Sequence, residues 1–171
     1  MSGTLHYEEF GDGRPIVFLH GWTMDHRVEM ADYEKIFAAR RGWRRIYPDL
    51  PGMGRSAAGD GITTQDDVLE AVLAFIDRVV PHERFVLAGT SLGAYLARAV
   101  VARRRSRIAG LLLRVPCIVA DTAQRTLPPF RPLVRDAGWW RRWPARNGRA
   151  WATSWCRHRH TSTGCGRRSL R

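Results

Sequence analysis

Lysine is almost missing from this chain of 171 residues: lysine and arginine together number 28, and Lys35 is the one lysine among them. Acids are the minority, 16 against those 28, which leaves a formal net charge of +12. Long apolar runs are missing as well. No stretch approaches the roughly 20 apolar residues that a membrane-spanning helix needs, so no membrane partner is expected. Neither a basic start nor an apolar stretch follows Met1-Ser2-Gly3, so no secretory leader is expected and the cytoplasm is the default location. Cysteine is scarce, with three in all. Cys117 reads as a buried thiol in a strand, and nothing calls for an oxidising compartment. There are no internal repeats.

The absences are uneven along the chain. Residues 136–171 hold no Ile, Met, Phe or Val, a single Leu (Leu170) and a single acid (Asp136), but nine Arg and five of the seven Trp. Residues 1–135 balance 19 basic against 15 acidic side chains and are enough for one domain with a reasonable core. The tail has no periodic apolar face with which to cover a sheet edge. It reads as a disordered or out-of-frame extension. Trp is always TGG; taking Arg as CGN, a two-base shift turns Trp139-Trp140-Arg141-Arg142-Trp143 into an apolar helical start, as expected of a frame-shifted remnant. Cys156, His158, His160 and Cys165 offer a zinc ligand set, but their spacing matches no usual finger. Arg interleaved with Trp could contact nucleic acid, but nothing in the tail would fold to present it.

Five residues stand out from what is there. Phe85-Val86-Leu87-Ala88 is a short apolar run suited to a buried parallel strand, and Leu92 to Val101 is rich in Ala and Leu, as a helix would be. Between them lies Gly89-Thr90-Ser91-Leu92-Gly93. A strand that becomes a helix within two residues strains the middle residue and demands small neighbours two places before and after. Gly89 and Gly93 fill those places, and Ala94 keeps the next one small. Such a bend lifts the Ser91 hydroxyl above a helix N-terminus, where backbone N–H groups favour developing negative charge. The plainer alternative is a serine in an ordinary turn, and the flanking glycines argue against it.

Two further segments agree. Pro15-Ile16-Val17-Phe18-Leu19 reads as a buried strand running into His20-Gly21-Trp22, and Arg45-Ile46-Tyr47 is a short strand before Asp49-Leu50-Pro51-Gly52-Met53-Gly54-Arg55-Ser56. In this order, each behind its own strand, the three motifs resemble those of the α/β-hydrolase family. The resemblance implies Ser91 as nucleophile and the backbone amides of Trp22 and Leu92 as oxyanion-hole donors, with His20, Gly21, Asp49, Gly89 and Gly93 as supporting positions. It implies a small-molecule acyl substrate, with no cofactor and no metal. The expected fold is a truncated doubly wound, mostly parallel sheet with helices on both faces.

The intervening segments fit that fold. Thr4 to Phe10 reads as half of an antiparallel hairpin turned by Gly11-Asp12-Gly13. Asp25 to Arg40 reads as a helix with apolar positions at Val28, Ala31, Ile36 and Phe37. Thr64 to Val80 is the clearest amphipathic helix, with Val68, Val72, Phe75, Ile76 and Val79 on one stripe, Thr63 or Thr64 as N-cap and Pro81 beyond its end. Ile108 to Val119 reads as a strand interrupted by Arg114 and Pro116.

The family places a triad acid and then a His on loops after the last strands, and family-like sequence fades after Arg135. Asp121 is a candidate acid, although such a residue more often caps the next segment. His158 and His160 follow Ser91 in the right order but lie in the tail. His20 is expected to pack beside the bend rather than act as the base, and Asp49 to organise its own turn. The triad His is left unassigned, and a serine without a base is a poor nucleophile. The expectation is a partial α/β-hydrolase domain over residues 1–135, followed by the tail at 136–171. Its ancestral reaction is acyl transfer to water, impaired by loss of the C-terminal triad residues. The alternatives are a catalytically silent interaction module or a nucleic-acid binder acting through the basic tail. Oligomeric state is not legible.

Overall fold

The computed structural model describes residues 4–119 and 124–126, and its secondary structure belongs to one compact unit, Met1–Arg125. Strands β1 (Tyr7–Phe10), β2 (Arg14–Leu19), β3 (Trp43–Pro48), β4 (Phe85–Thr90) and β5 (Ile108–Arg114) alternate with helices α1 (His26–Phe37), α2 (Gln65–Val79) and α3 (Leu92–Arg104). The sheet order is β1-β3-β2-β4-β5, with only β1 antiparallel to its neighbour. No helix among the described residues is long and apolar enough to cross a membrane.

Alternation along β2 divides the core. Ile16 and Phe18 join Tyr47, Ala88 and the partly buried Met30, Tyr33 and Phe37 of α1 on one face. Val17 and Leu19 join Ile46, Leu87 and the apolar sides of α2 and α3 on the other. Helices therefore cover both faces, as the near-continuous apolar character of β2 and β4 requires. Phe18 lies parallel to the Tyr47 ring at 4.6 Å between centroids.

Helix α2 carries the expected stripe: Val68, Val72, Phe75, Ile76 and Val79 are all buried. Thr64 is its N-cap, and the Asp67 side chain returns a bond to the Thr64 backbone, so two otherwise orphaned donors are satisfied together.

The structure departs from the sequence reading, or adds to it, at three points. Strands β1 and β2 do not pair as a hairpin; β3 lies between them. The glycine turn straddles the start of β3, because Arg14 N–H donates to Gly42 O at 3.0 Å and a side chain on Gly13 would meet the Gly42 backbone. Helix α1 does not turn Val28, Ala31 and Ile36 inward: all three are exposed, while His26 and Glu29 are buried and Met30, Tyr33 and Phe37 are partly buried. The inward stripe is thus offset from the apolar one, because Glu29 finds polar company inside. Finally, β5 stops at Arg114, where Val115 adopts a φ of +43°. Cys117 accordingly lies past the strand, only partly buried, with its Sγ 2.9 Å from an Arg125 guanidinium nitrogen.

Register brings three strand ends together. Leu19 of β2 pairs with Gly89 of β4, which pairs with Leu113 of β5. The loops leaving these strands at their carboxyl ends lie side by side, where open α/β sheets bind ligands.

Candidate active site

Backbone strain marks the centre. Ser91 has φ +52° and ψ −107°, a region that a non-glycine residue occupies at a cost of about 1–3 kcal/mol. The sharpness of the bend explains its glycines. A Cβ on Gly89 would strike the Gly93 carbonyl, and one on Gly93 would strike the carbonyls of Leu19 and His20. The bend is therefore pressed against the end of β2.

The first intrahelical bond of α3 runs from Tyr95 N–H to Ser91 O at 3.0 Å. The amides of Leu92, Gly93 and Ala94 precede it, so the helix itself offers them no acceptor. Ser91 N–H is different, because it donates to Arg114 O at 2.9 Å.

The His20-Gly21-Trp22 loop closes one side. Met24 N–H donates to Gly21 O at 3.3 Å, so Gly21 to Met24 forms a tight turn with Trp22 and Thr23 at its centre. Thr23 has φ +61°, an unusual angle for a β-branched residue. A Cβ on Gly21 would lie 3.6 Å from Ser91 Cβ and 3.6 Å from Thr90 O. The turn therefore faces the bend at about the reach of one added methyl group, which would itself sit at ordinary contact distance from Ser91 and Thr90.

Behind the turn, His20 is fully buried. Its Nδ1 donates to Gly21 O at 2.8 Å, and its Nε2 accepts from Leu50 N–H at 2.9 Å. These partners fix the neutral Nδ1–H tautomer. Burial holds the imidazole below its ordinary pKa, against the opposing pull of the Gly21 carbonyl and Asp49.

Asp49, also fully buried, anchors the next loop. Its Oδ1 accepts from His26 N–H and His26 Nδ1, both at 2.8 Å; its Oδ2 accepts from Arg55 N–H at 2.8 Å and His6 Nδ1 at 3.0 Å. Burial pushes this carboxyl up, but the amides of Arg55 and His26 and the His26 ring outweigh it and hold it below the usual range. Gly54, at φ +55°, lies where any side chain would collide with the carboxylate. His6, His26 and Asp49 place possible metal-ligating atoms within 4.8 Å of one another. Both carboxylate oxygens and both Nδ1 atoms are already committed to these hydrogen bonds, so the cluster is complete as a knot joining β1, α1 and the loop after β3.

The structure thus brings together Ser91, Leu92, Gly89, Gly93, Gly21 and Trp22, with His20 and Asp49 in supporting layers. Asp121, His158, His160, Cys156 and Cys165 lie outside the described residues. Sequence reasoning missed His6, His26, Glu29 and Thr90 and took Arg114 only as an interruption. Glu29 is buried on α1, next to the Thr90 hydroxyl, and burial raises its pKa against the pull of Thr90 and Arg114. A charged residue ending an otherwise apolar strand was the one visible signal.

Comparison with known proteins shows the family. The alpha/beta hydrolase family profile matches residues 16–170. The AB hydrolase superfamily protein YisY of Bacillus subtilis is 38% identical over 136 residues, covering 78% of this chain and 48% of that protein. The pimeloyl-(acyl-carrier protein) methyl ester esterase of Shewanella woodyi is 31% identical over 133 residues, covering 75% of this chain and 48% of the esterase. The crystal structure of an alpha/beta superfamily hydrolase from Oenococcus oeni superimposes with a TM-score of 0.69 at 32% identity, over 88% of this chain and 54% of that one. The chain spans about half the length of the curated relatives it matches. With its mostly parallel sheet, its strained serine bend and these similarities, the chain belongs to the alpha/beta hydrolase family.

Proposed function

We propose that this chain carries the serine-nucleophile half of an esterase-like active site, with Ser91 as the attacking group and a small acyl compound as substrate. The observation that supports it is the meeting of two strained turns: Ser91 at φ +52° faces Gly21, where an added Cβ would lie 3.6 Å from Ser91 Cβ, and Thr23 of that same turn has φ +61°. Strain of this kind persists only where the surrounding structure enforces it, and it gathers at reactive sites.

In this reading Ser91 Oγ attacks the carbonyl carbon of an ester. The tetrahedral oxyanion is held by the amides of Leu92, at the N-terminus of α3, and Trp22, in the facing turn. Collapse of the intermediate releases the alcohol and leaves an acyl-serine, which water then hydrolyses. The Oγ proton passes to a general base and on to the departing alcohol. His20 is unsuited to that task, because both of its ring nitrogens are engaged. A serine activated by a His and an acid reacts far faster than one left without them.

The similarity to a methyl ester esterase supports an acyl substrate without choosing one. Incubation with a fluorophosphonate probe tests the reading. Label attached to Ser91 and lost in Ser91→Ala is the expected result. Absence of label from the wild-type chain, or equal labelling of the two, overturns it.

A further inference from the structure

The ends of β4 and β5 share an unusual feature. Thr90 and Arg114 are register partners, and the next residue on each strand, Ser91 and Val115, turns into the left-handed region at φ +52° and +43°. Two adjacent strands thus break at the same level, each at a residue that resists that conformation. Something must hold them there.

Arg114 touches both breaks. Its carbonyl accepts the Ser91 N–H at 2.9 Å, and its Nε donates to Thr90 Oγ1 at 3.1 Å. Its guanidinium reaches α1, bonding Asp32, lying 3.5 Å from a Glu29 oxygen and sitting over the Tyr33 ring at 5.5 Å. Thr90 and Glu29 are buried, and among the described residues Glu29 Oε1 finds no hydrogen-bond partner. Arg114 is therefore the charge that faces this buried carboxyl. One residue joins the serine bend, the end of β5 and the helix over that face of the sheet.

We propose that Arg114 is a positioning residue for reaction at Ser91, its side chain gripping Thr90, Glu29 and Asp32 so that its own carbonyl fixes the Ser91 amide in the strained bend. Arg114 does not itself touch the reacting atoms. The proposal rests on Ser91 being the nucleophile, and its test separates the two claims.

The full chain is compared with Arg114→Met and Arg114→Lys. One readout is the rate of fluorophosphonate labelling at Ser91; the other is hydrogen exchange of the amides across residues 85–95. Arg114→Met is expected to slow labelling tenfold or more and to raise exchange at Ser91 at least tenfold, while the amides of 85–88 keep their protection. Arg114→Lys, which retains the charge but not the fork, is expected to recover part of both. Wild-type labelling in Arg114→Met, or unchanged exchange at Ser91, overturns the proposal. If the wild-type chain takes no label, the assignment of Ser91 fails, and exchange alone decides whether Arg114 holds the bend. Should Arg114→Met lose protection throughout, Thr90→Val removes only the hydroxyl that Arg114 and Glu29 share. A threefold or larger rise in Ser91 exchange then supports the grip, and wild-type exchange refutes it.

Discussion

His20 Nε2 accepts the Leu50 amide proton at 2.9 Å while its Nδ1 donates to Gly21 O at 2.8 Å, so one buried ring ties the turn facing Ser91 to the loop after β3. The imidazole is held below its ordinary pKa, first by burial. The unfolded chain takes up a proton near the usual imidazole value, about 6.5, before the folded one does. The stability that His20 contributes is therefore complete above that value and is lost as pH falls from there towards the depressed folded value. His20→Phe leaves a buried carbonyl and a buried amide unpartnered, at a cost of about 3 kcal/mol. Urea unfolding at pH 7.5 should show that loss in full, and the gap between variant and wild type should narrow by pH 5.5. A gap independent of pH would remove the titration from the account.

The strain at Ser91 sets a stability ordering between its smallest replacements. At φ +52° the Cβ is the source of the strain, and this adds to the ordinary advantage of glycine over alanine at a helix N-cap. Ser91→Gly should be more stable than Ser91→Ala by about 1 kcal/mol, with neither taking a serine-directed label. Denaturant midpoints of the two variants measure the difference. Equal stability would mean that the bend relaxes freely.

The two glycines facing this bend should respond differently to the same substitution. A Cβ at Gly93 meets the backbone carbonyls of Leu19 and His20, which the sheet holds in place. A Cβ at Gly21 meets first Met24 Sδ at 3.2 Å, the end of a flexible side chain. Gly93→Ala should cost about 3 kcal/mol or prevent folding, whereas Gly21→Ala should cost less than about 1 kcal/mol. Thermal melting of both variants distinguishes these outcomes, and comparable losses would contradict the contacts described.

Much of the sheet was legible because its signals are local. The apolar runs of β2 and β4, the glycines around Ser91 and the threonine N-cap of α2 each act within a few residues, and each is where sequence placed it. The pairing of β1 was not legible, since nothing in Thr4 to Phe10 records that β3 will insert beside it. Helix α1 misled for a related reason. Its apolar residues Val28 and Ile36 face outward while Glu29 turns inward to Thr90 on β4 and Arg114 on β5, more than sixty residues along the chain. The supporting knot of His6, His26 and Asp49 likewise joins three separate segments. Single-residue chemistry at the bend could be read from sequence, whereas the polar groups that hold it exist only once the strands are side by side.

Glu29 offers the last test, because it opposes stability where Arg114 needs it. Its carboxyl is raised above the ordinary range, first by burial, with Thr90 and Arg114 pulling the other way and Asp32 adding to the rise. Among the described residues, Tyr33 also faces it. At low pH the carboxyl is neutral in both folded and unfolded chains, so it imposes no difference. As pH climbs from the usual carboxyl range through the raised folded value, the unfolded chain ionises first, and stability falls. Glu29→Gln should therefore match the wild type at pH 4 and exceed it at pH 8, the gap opening in between. Because the carboxylate also holds the Arg114 guanidinium, the same variant should exchange its Ser91 amide faster at pH 8 while melting higher. A buried acid kept at a cost to stability is what a positioning role at a strained site would retain. A variant less stable than the wild type at pH 8 would show instead that the Arg114 charge more than offsets the burial of Glu29.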